Sequence, residues 1–450
     1  MKTFETNKAV RKIPVVFLVF FIAGITIAAK AARSNTTNPS NADTSVTAEI
    51  SRQLNNKQGN QGLYFPLSVK RFYKQRDSAP IWTVEQKDQN KTWAAMLLID
   101  CVLQFGLRHE DYHPKELLYA TLHTILEQPG KISNRQIARF ELMLTDAMLA
   151  FINNLHFGKL NPYYTPAKID GGAVNGFDTA GVLTNALTQP AFMDAIVKVQ
   201  PENKDYQAFQ HQLYMIKGVY DGDCYETPEA DVRKIAINME RLRWAEINDS
   251  AYIQINIPTY LLKLVRADTT FSFKVIVGKP ATPTPALATS LTNFATAAGA
   301  EVIKARSTDK FSSNNLSFNT AAGGKRKAGS IYFIPGNEAG IELPGVPDQG
   351  LFRKQARATS NGSIRIERGE ELAKLLLKAD GNEAFIKPMH KALMNNEVKD
   401  FVLNKPLPIR VTYITAAIVD GQLVKYNDIY NLDNRVESQL YNIEPNNKKH

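Results

Sequence analysis

The chain has 450 residues, of which 44% are hydrophobic and 22% charged, with a formal net charge of +10. That length allows two domains with their own cores, and that composition excludes a chain that is disordered throughout. The densest basic cluster, Lys325-Arg326-Lys327, is flanked by Gly323, Gly324 and Gly329 and reads as a solvated loop; nucleic acid would need a broad basic face, so none is expected as a partner.

The first 12 residues are basic on balance, and Ile13 to Ala29 is an uncharged apolar run of 17 residues. Ala29-Lys30-Ala31 offers a small-residue cleavage site. The run reaches the lower limit of a membrane-spanning helix. Residues 1–31 are therefore expected to be a signal peptide or an N-terminal inner-membrane anchor, with the basic flank cytoplasmic. Ser34 to Ser45 is rich in Ser, Asn and Thr, so residues 32–45 read as a flexible tether.

From Val46 onward the apolar spacing is helical, and residues 46–230 are assigned to a helical domain. In Ile137 to Leu155 the residues Ile137, Phe140, Leu144, Ala147, Met148 and Phe151 recur at spacings of three and four. Ser133 is placed to cap that helix, and Gly158 with Asn161-Pro162 ends it. Gly181 to Val199 and Tyr206 to Val219 predict further helices. Cys101, in the apolar run Trp93 to Phe105, reads as a buried small hydrophobe. Cys224 lies in a polar turn, and an exported chain could join the two. His109, His113, His123, His156 and His211 read as polar or half-buried helix residues. No metal-ligand spacing occurs, so neither metal nor cofactor is expected.

Near residue 250 the period changes to two. Tyr252 to Ile257, Tyr260 to Val265 and Phe271 to Val277 predict strands, followed by Ser330 to Ile334, Ile364 to Glu367, Pro408 to Ile414 and Ala416 to Val419. Glu370 to Leu377 predicts a helix. The fold class is therefore α+β: a helical domain over 46–230, then a mostly-β domain over 231–450.

One stretch organises the second domain: Arg357-Ala358-Thr359-Ser360-Asn361-Gly362-Ser363-Ile364-Arg365-Ile366-Glu367. It resembles the active-site loop of the L,D-transpeptidases, which reads Ser/Thr-His-Gly-Cys-Ile-Arg. Ser360, Gly362, Ile364 and Arg365 keep that frame, while Asn361 stands where the family has His and Ser363 where it has the nucleophilic Cys. Asn238 to Trp244, Ile255 to Tyr260, Val275 to Pro280, Thr284-Pro285, Pro406 to Ile409, Thr412-Tyr413 and Asp428 to Asp433 are similar to further blocks of that domain. Arg71-Phe72-Tyr73, Pro80-Ile81-Trp82, Asp111-Tyr112-His113, Thr145-Asp146-Ala147 and Leu155 to Pro162 resemble its scaffold domain. The family's His-Asp-Thr-Pro turn is matched by Ile341 to Pro347, with Pro344 at the His position.

Acyl transfer needs a nucleophile, a base and an oxyanion site. A thiol is partly ionised near neutral pH, whereas the Ser363 hydroxyl needs a base within reach. From Asp231 onward the sequence has no Cys and only His390 and His450. The resemblance implies that Gly362, with Ser360 and Asn361 in the turn, forms the oxyanion and substrate site, and that Arg365 binds a carboxylate. The alternative for Arg365 is a loop-orienting salt bridge to Glu367 or Glu370. The expected function is that of an L,D-transpeptidase-like cell-envelope protein acting in peptidoglycan cross-linking or remodelling. It would lie in the periplasm of a Gram-negative bacterium, anchored to the inner membrane or secreted. It is read as a catalytically inactive member that binds peptidoglycan stem peptides or regulates an active partner or other envelope proteins. Two alternatives stand beside it: an active enzyme acylated on Ser363, and a purely structural interaction protein.

Overall fold

A computed structural model describes residues 40–56, 61–84, 89–218, 229–244, 249–267, 269–297, 330–336, 341–346 and 349–443. The leader 1–31, Cys224, Lys325-Arg326-Lys327 and His450 lie outside the described residues. Among the described residues, no helix is long and apolar enough to cross a membrane.

The first half is helical: α1 (Ser40–Asn55), α2 (Pro66–Lys74), α3 (Asn90–Asp100), α4 (Tyr119–Glu127), α5 (Asn134–His156), α6 (Pro166–Gly171), α7 (Thr179–Thr188), α8 (Phe192–Val197) and α9 (Lys204–Leu213). α1 starts inside the expected tether. Its stripe Val46, Ile50 and Leu54 is buried in the helical core, and that docking carries the helix back to Ser40. The single helix expected over Gly181 to Val199 is two. Pro190 forces Gln189 out of the helical region, to ψ 146°, and α7 stops there. Cys101 is half-buried at the end of α3, where the chain turns, and its thiol is free; burial raises its pKa.

α5 is buried nearly all round and forms the axis of this half. Ser133 caps it in a reciprocal pair with Gln136. Its buried polar residues gather the scattered motifs of the first half. Glu141 accepts the N–H groups of Ile81 (3.1 Å), Trp82 (2.8 Å) and Thr83 (2.6 Å) and the Tyr73 hydroxyl at 2.9 Å. Thr145 accepts Trp82 Nε1 at 2.8 Å. Asp146 accepts the N–H groups of Tyr64 and Phe65 at 2.8 Å and meets His113 at 2.7 Å. Gly158, after α5, has φ +84°; a Cβ there would stand 2.7 Å from Glu240 Oε1.

The helix α10 (Glu229–Trp244) joins the two halves. Arg243 donates to the Phe105 carbonyl at 2.6 Å and the Tyr206 hydroxyl at 2.9 Å, while Glu240 accepts the Leu160 N–H at 2.6 Å. Its other face holds the second half: Asn238 accepts the Thr415 N–H at 2.7 Å, and Lys234 and Arg241 pair with Asp433.

The second half contains β1 (Ala251–Asn256), β2 (Leu261–Arg266), β3 (Thr269–Gly278), β4 (Leu287–Ala297), β5 (Ser330–Pro335), β6 (Leu343–Val346), β7 (Ala358–Ser360), β8 (Arg365–Glu367), α11 (Gly369–Ala379), α12 (Ile386–Met394), β9 (Asp400–Thr412), β10 (Ala416–Val419), β11 (Gln422–Lys425) and α13 (Asp433–Tyr441). The large sheet runs β2-β1-β9-β4-β5-β6-β8-β3, and β3 pairs back to β2, so it closes on itself; β7 adds to the end of β3. Ile253, Ile255, Leu262, Leu264, Phe273 and Val275 alternate into its core, and α11 packs Leu372, Leu376 and Leu377 on it. The strand β4 occupies a stretch rich in Ala and Thr, where sequence analysis placed none. It pairs with β9 and β5, so its neighbours rather than its own composition make it a strand. The α+β class and the order of the two halves are as expected.

Candidate ligand-binding loop

The loop between β7 and β8 is held from below by the end of β3. Val277 donates to the Arg357 carbonyl and Lys279 to the Ser360 carbonyl, each at 2.9 Å. The next turn then folds back so tightly that a Cβ on Gly278 would stand 2.2 Å from the Thr282 carbonyl oxygen. Thr284 sits in that turn. Its hydroxyl accepts the Gly278 N–H at 2.8 Å and donates to the Gly362 carbonyl at 3.0 Å.

A second row of groups fixes the turn itself. Tyr430 donates its hydroxyl proton to the Gly278 carbonyl at 2.6 Å and accepts the Thr284 N–H at 3.1 Å. Tyr413 stacks on Tyr430, accepts its N–H at 2.7 Å and donates to Asp428 at 2.6 Å. Burial raises both phenol pKa values, so both remain neutral donors. Arg357 braces the other side: it donates to the carbonyls of Val275 (3.2 Å), Lys354 (2.8 Å) and Tyr260 (3.2 Å). Burial lowers the Arg357 pKa, and the guanidinium lies 5.2 Å from the centre of the Tyr260 ring.

Within the loop, Ser360 is buried and donates its hydroxyl to the Ser363 carbonyl at 2.5 Å. It is therefore a structural clamp across the turn. Gly362 has φ +90°, with nothing closer than 3.9 Å to a Cβ built on it; the backbone conformation, not space, requires glycine. Ile364 is buried and donates its N–H to the Glu342 carbonyl at 3.0 Å. Asn361 and Arg365 are exposed, and Ser363 is half-buried. Among the described residues, the N–H groups of Asn361, Gly362 and Ser363 donate no hydrogen bond. Three successive amides without an acceptor among the described residues, one of them at positive φ, are donors available to an anion or a polarised carbonyl oxygen.

The salt bridge considered for Arg365 does not form. Glu367 accepts the Lys274 N–H at 3.2 Å and faces Arg368 at 3.7 Å. Glu370 pairs with Lys374 at 2.7 Å and His390 at 2.9 Å. Arg365 has no hydrogen-bond or ion-pair partner among the described residues. The Ser363 hydroxyl likewise has none, so among the described residues no base is in hydrogen-bond contact with it. Pro344 lies in β6 opposite Tyr332, and β6 runs parallel to β8 with Gly345 opposite Ile366. The position corresponding to the missing His is thus next to the loop and carries no proton-transfer group. The residues that sequence reasoning missed are Thr284, Tyr413 and Tyr430 as supports. Their signal was membership in blocks that resemble the family, far from the loop in sequence.

A helical half followed by a mostly-β half that presents this loop is the order of domains that the resemblance implies. Residues 67–213 match the family described as "Scaffold domain". A Haemophilus influenzae protein, provisionally named an L,D-transpeptidase, is 23% identical over 431 residues, covering 86% of this chain and 82% of its own. These findings bear out the resemblance: the chain is L,D-transpeptidase-like along most of its length.

Proposed function

We propose that this is a cell-envelope protein of the periplasm that binds peptidoglycan stem peptides through the loop 360–365 without acylating them. The free amides of Asn361, Gly362 and Ser363 would take a peptide carbonyl or carboxylate oxygen, and Arg365 would take the terminal carboxylate. Bound this way, the protein would act in cross-linking or remodelling by holding donor strands or by regulating an active partner. The observation that carries the reading is the pairing of a braced set of unbonded amides with a Ser363 hydroxyl that has no base in contact among the described residues. The likeness to a protein provisionally named an L,D-transpeptidase supports the choice of ligand class. The test is calorimetric titration of the full chain with a murein tetrapeptide. Binding that falls at least about tenfold in Arg365→Gln, the loss of one charge-assisted pair, supports the reading. No binding by the parent protein would end it.

A further inference from the structure

Away from the loop, a cavity of about 290 Å³ lies where the two halves meet α13. Its body is apolar, with Leu160, Trp244, Leu287 and Val436 in the wall. Three arginines enter the same wall: Arg241, Arg410 and Arg435. None of its lining residues is acidic among those described.

Among the described residues, the charge there is not neutralised from within. Arg241 is buried and pairs with Asp433, but Asp433 also pairs with Lys234, so that cluster keeps one positive charge. Arg241 Nη2 is buried with no hydrogen-bond partner. Arg410 makes one long bond, to the Ile409 carbonyl at 3.3 Å. Burial lowers its pKa, against the opposing pull of exposed Asp249. Arg435 has no hydrogen-bond or ion-pair partner among the described residues. Buried or half-buried guanidinium groups without a counter-charge are costly, and a bound anion offsets that cost.

We propose that this cavity binds an organic anion with a short apolar body, its carboxylate or phosphate head held by Arg410 and Arg435. The volume sits at the small end of ligand cavities, which suits a compact amphiphile rather than a polymer. The site contains no residue of the loop and shares with its supports only Tyr413, so it does not depend on the reading of the loop.

The experiment is calorimetry on the full chain with octanoate, octyl phosphate, octanol and octylamine. At least one of the two anions should bind about tenfold or more tightly than octanol and octylamine. Whichever anion binds more tightly assigns the head group. Arg435→Gln should weaken anion binding by about tenfold and leave octanol unaffected; Arg435 is exposed, so the variant should fold. Arg365→Gln should leave anion binding unchanged. Octanol binding as tightly as both anions, an unchanged affinity in Arg435→Gln, or loss of binding in Arg365→Gln would each overturn the proposal.

Discussion

The Thr284 hydroxyl donates to the Gly362 carbonyl at 3.0 Å, so a residue 78 positions upstream fixes the turn of the loop. It also accepts the Gly278 N–H, which is buried. Thr284→Val keeps the shape and removes both bonds, leaving a backbone donor unsatisfied. The expected cost is about 1–3 kcal/mol. The bonded amides that flank the turn, Lys279 and Ile364, should exchange faster with solvent, read by hydrogen–deuterium exchange. Exchange unchanged at both would mean that Thr284 does not hold the loop.

Arg365→Gln should behave oppositely. Arg365 is exposed and has no partner among the described residues, so its loss should change stability by less than about 0.5 kcal/mol. A melting temperature close to that of the parent, with weakened peptide binding, separates a ligand-facing arginine from a structural one. A large fall in melting temperature would place Arg365 in the framework instead.

In the scaffold half, Asp146 accepts two backbone N–H groups and meets buried His113, which stacks on Tyr64. Asp146→Ala strands all three donors in the interior. A loss of about 3–5 kcal/mol is expected, measured by denaturant unfolding. Exposed His109, by contrast, meets Asp100 at 3.1 Å, and His109→Ala should stay within about 1 kcal/mol.

Acid should loosen the joint between the halves. Burial opposes ionisation of Asp433, but Arg241 and Lys234 outweigh it and hold its pKa below the ordinary carboxylate value. A depressed folded-state pKa contributes stability above the unfolded value, and that contribution is lost as pH falls through the folded value. Stability should therefore drop on the acid side of ordinary carboxylate titration, and Asp433→Asn should show a shallower acid limb. Glu141, whose pKa burial raises, contributes in the opposite direction, so the parent and the variant are compared at each pH. Parallel acid limbs would remove Asp433 from the joint.

The helices with strong caps and clear spacing were legible in the sequence. Ser133, the apolar stripe of α5 and Gly158 each did what their chemistry implies. β4 and β6 were not legible. Ala is depleted in strands and dilutes the signal of Thr in β4, and Pro344 argues against a strand in β6; long-range pairing with β9, β5 and β8 makes both elements. The loop itself was visible as a motif. Its supports were not, because Thr284, Tyr413 and Tyr430 meet it only through the closed sheet. The alternative reading of Arg365 as an ion pair failed for a local reason: Lys274, Arg368, Lys374 and His390 already occupy both candidate carboxylates.

The central claim is a loop that holds a peptide without reacting with it. Intact-mass spectrometry of the full chain, incubated with murein tetrapeptide at a concentration that titration shows to fill the site, tests it most directly. The predicted result is the unmodified mass. An adduct that disappears in Ser363→Ala would contradict the account and make the protein a serine acyltransferase.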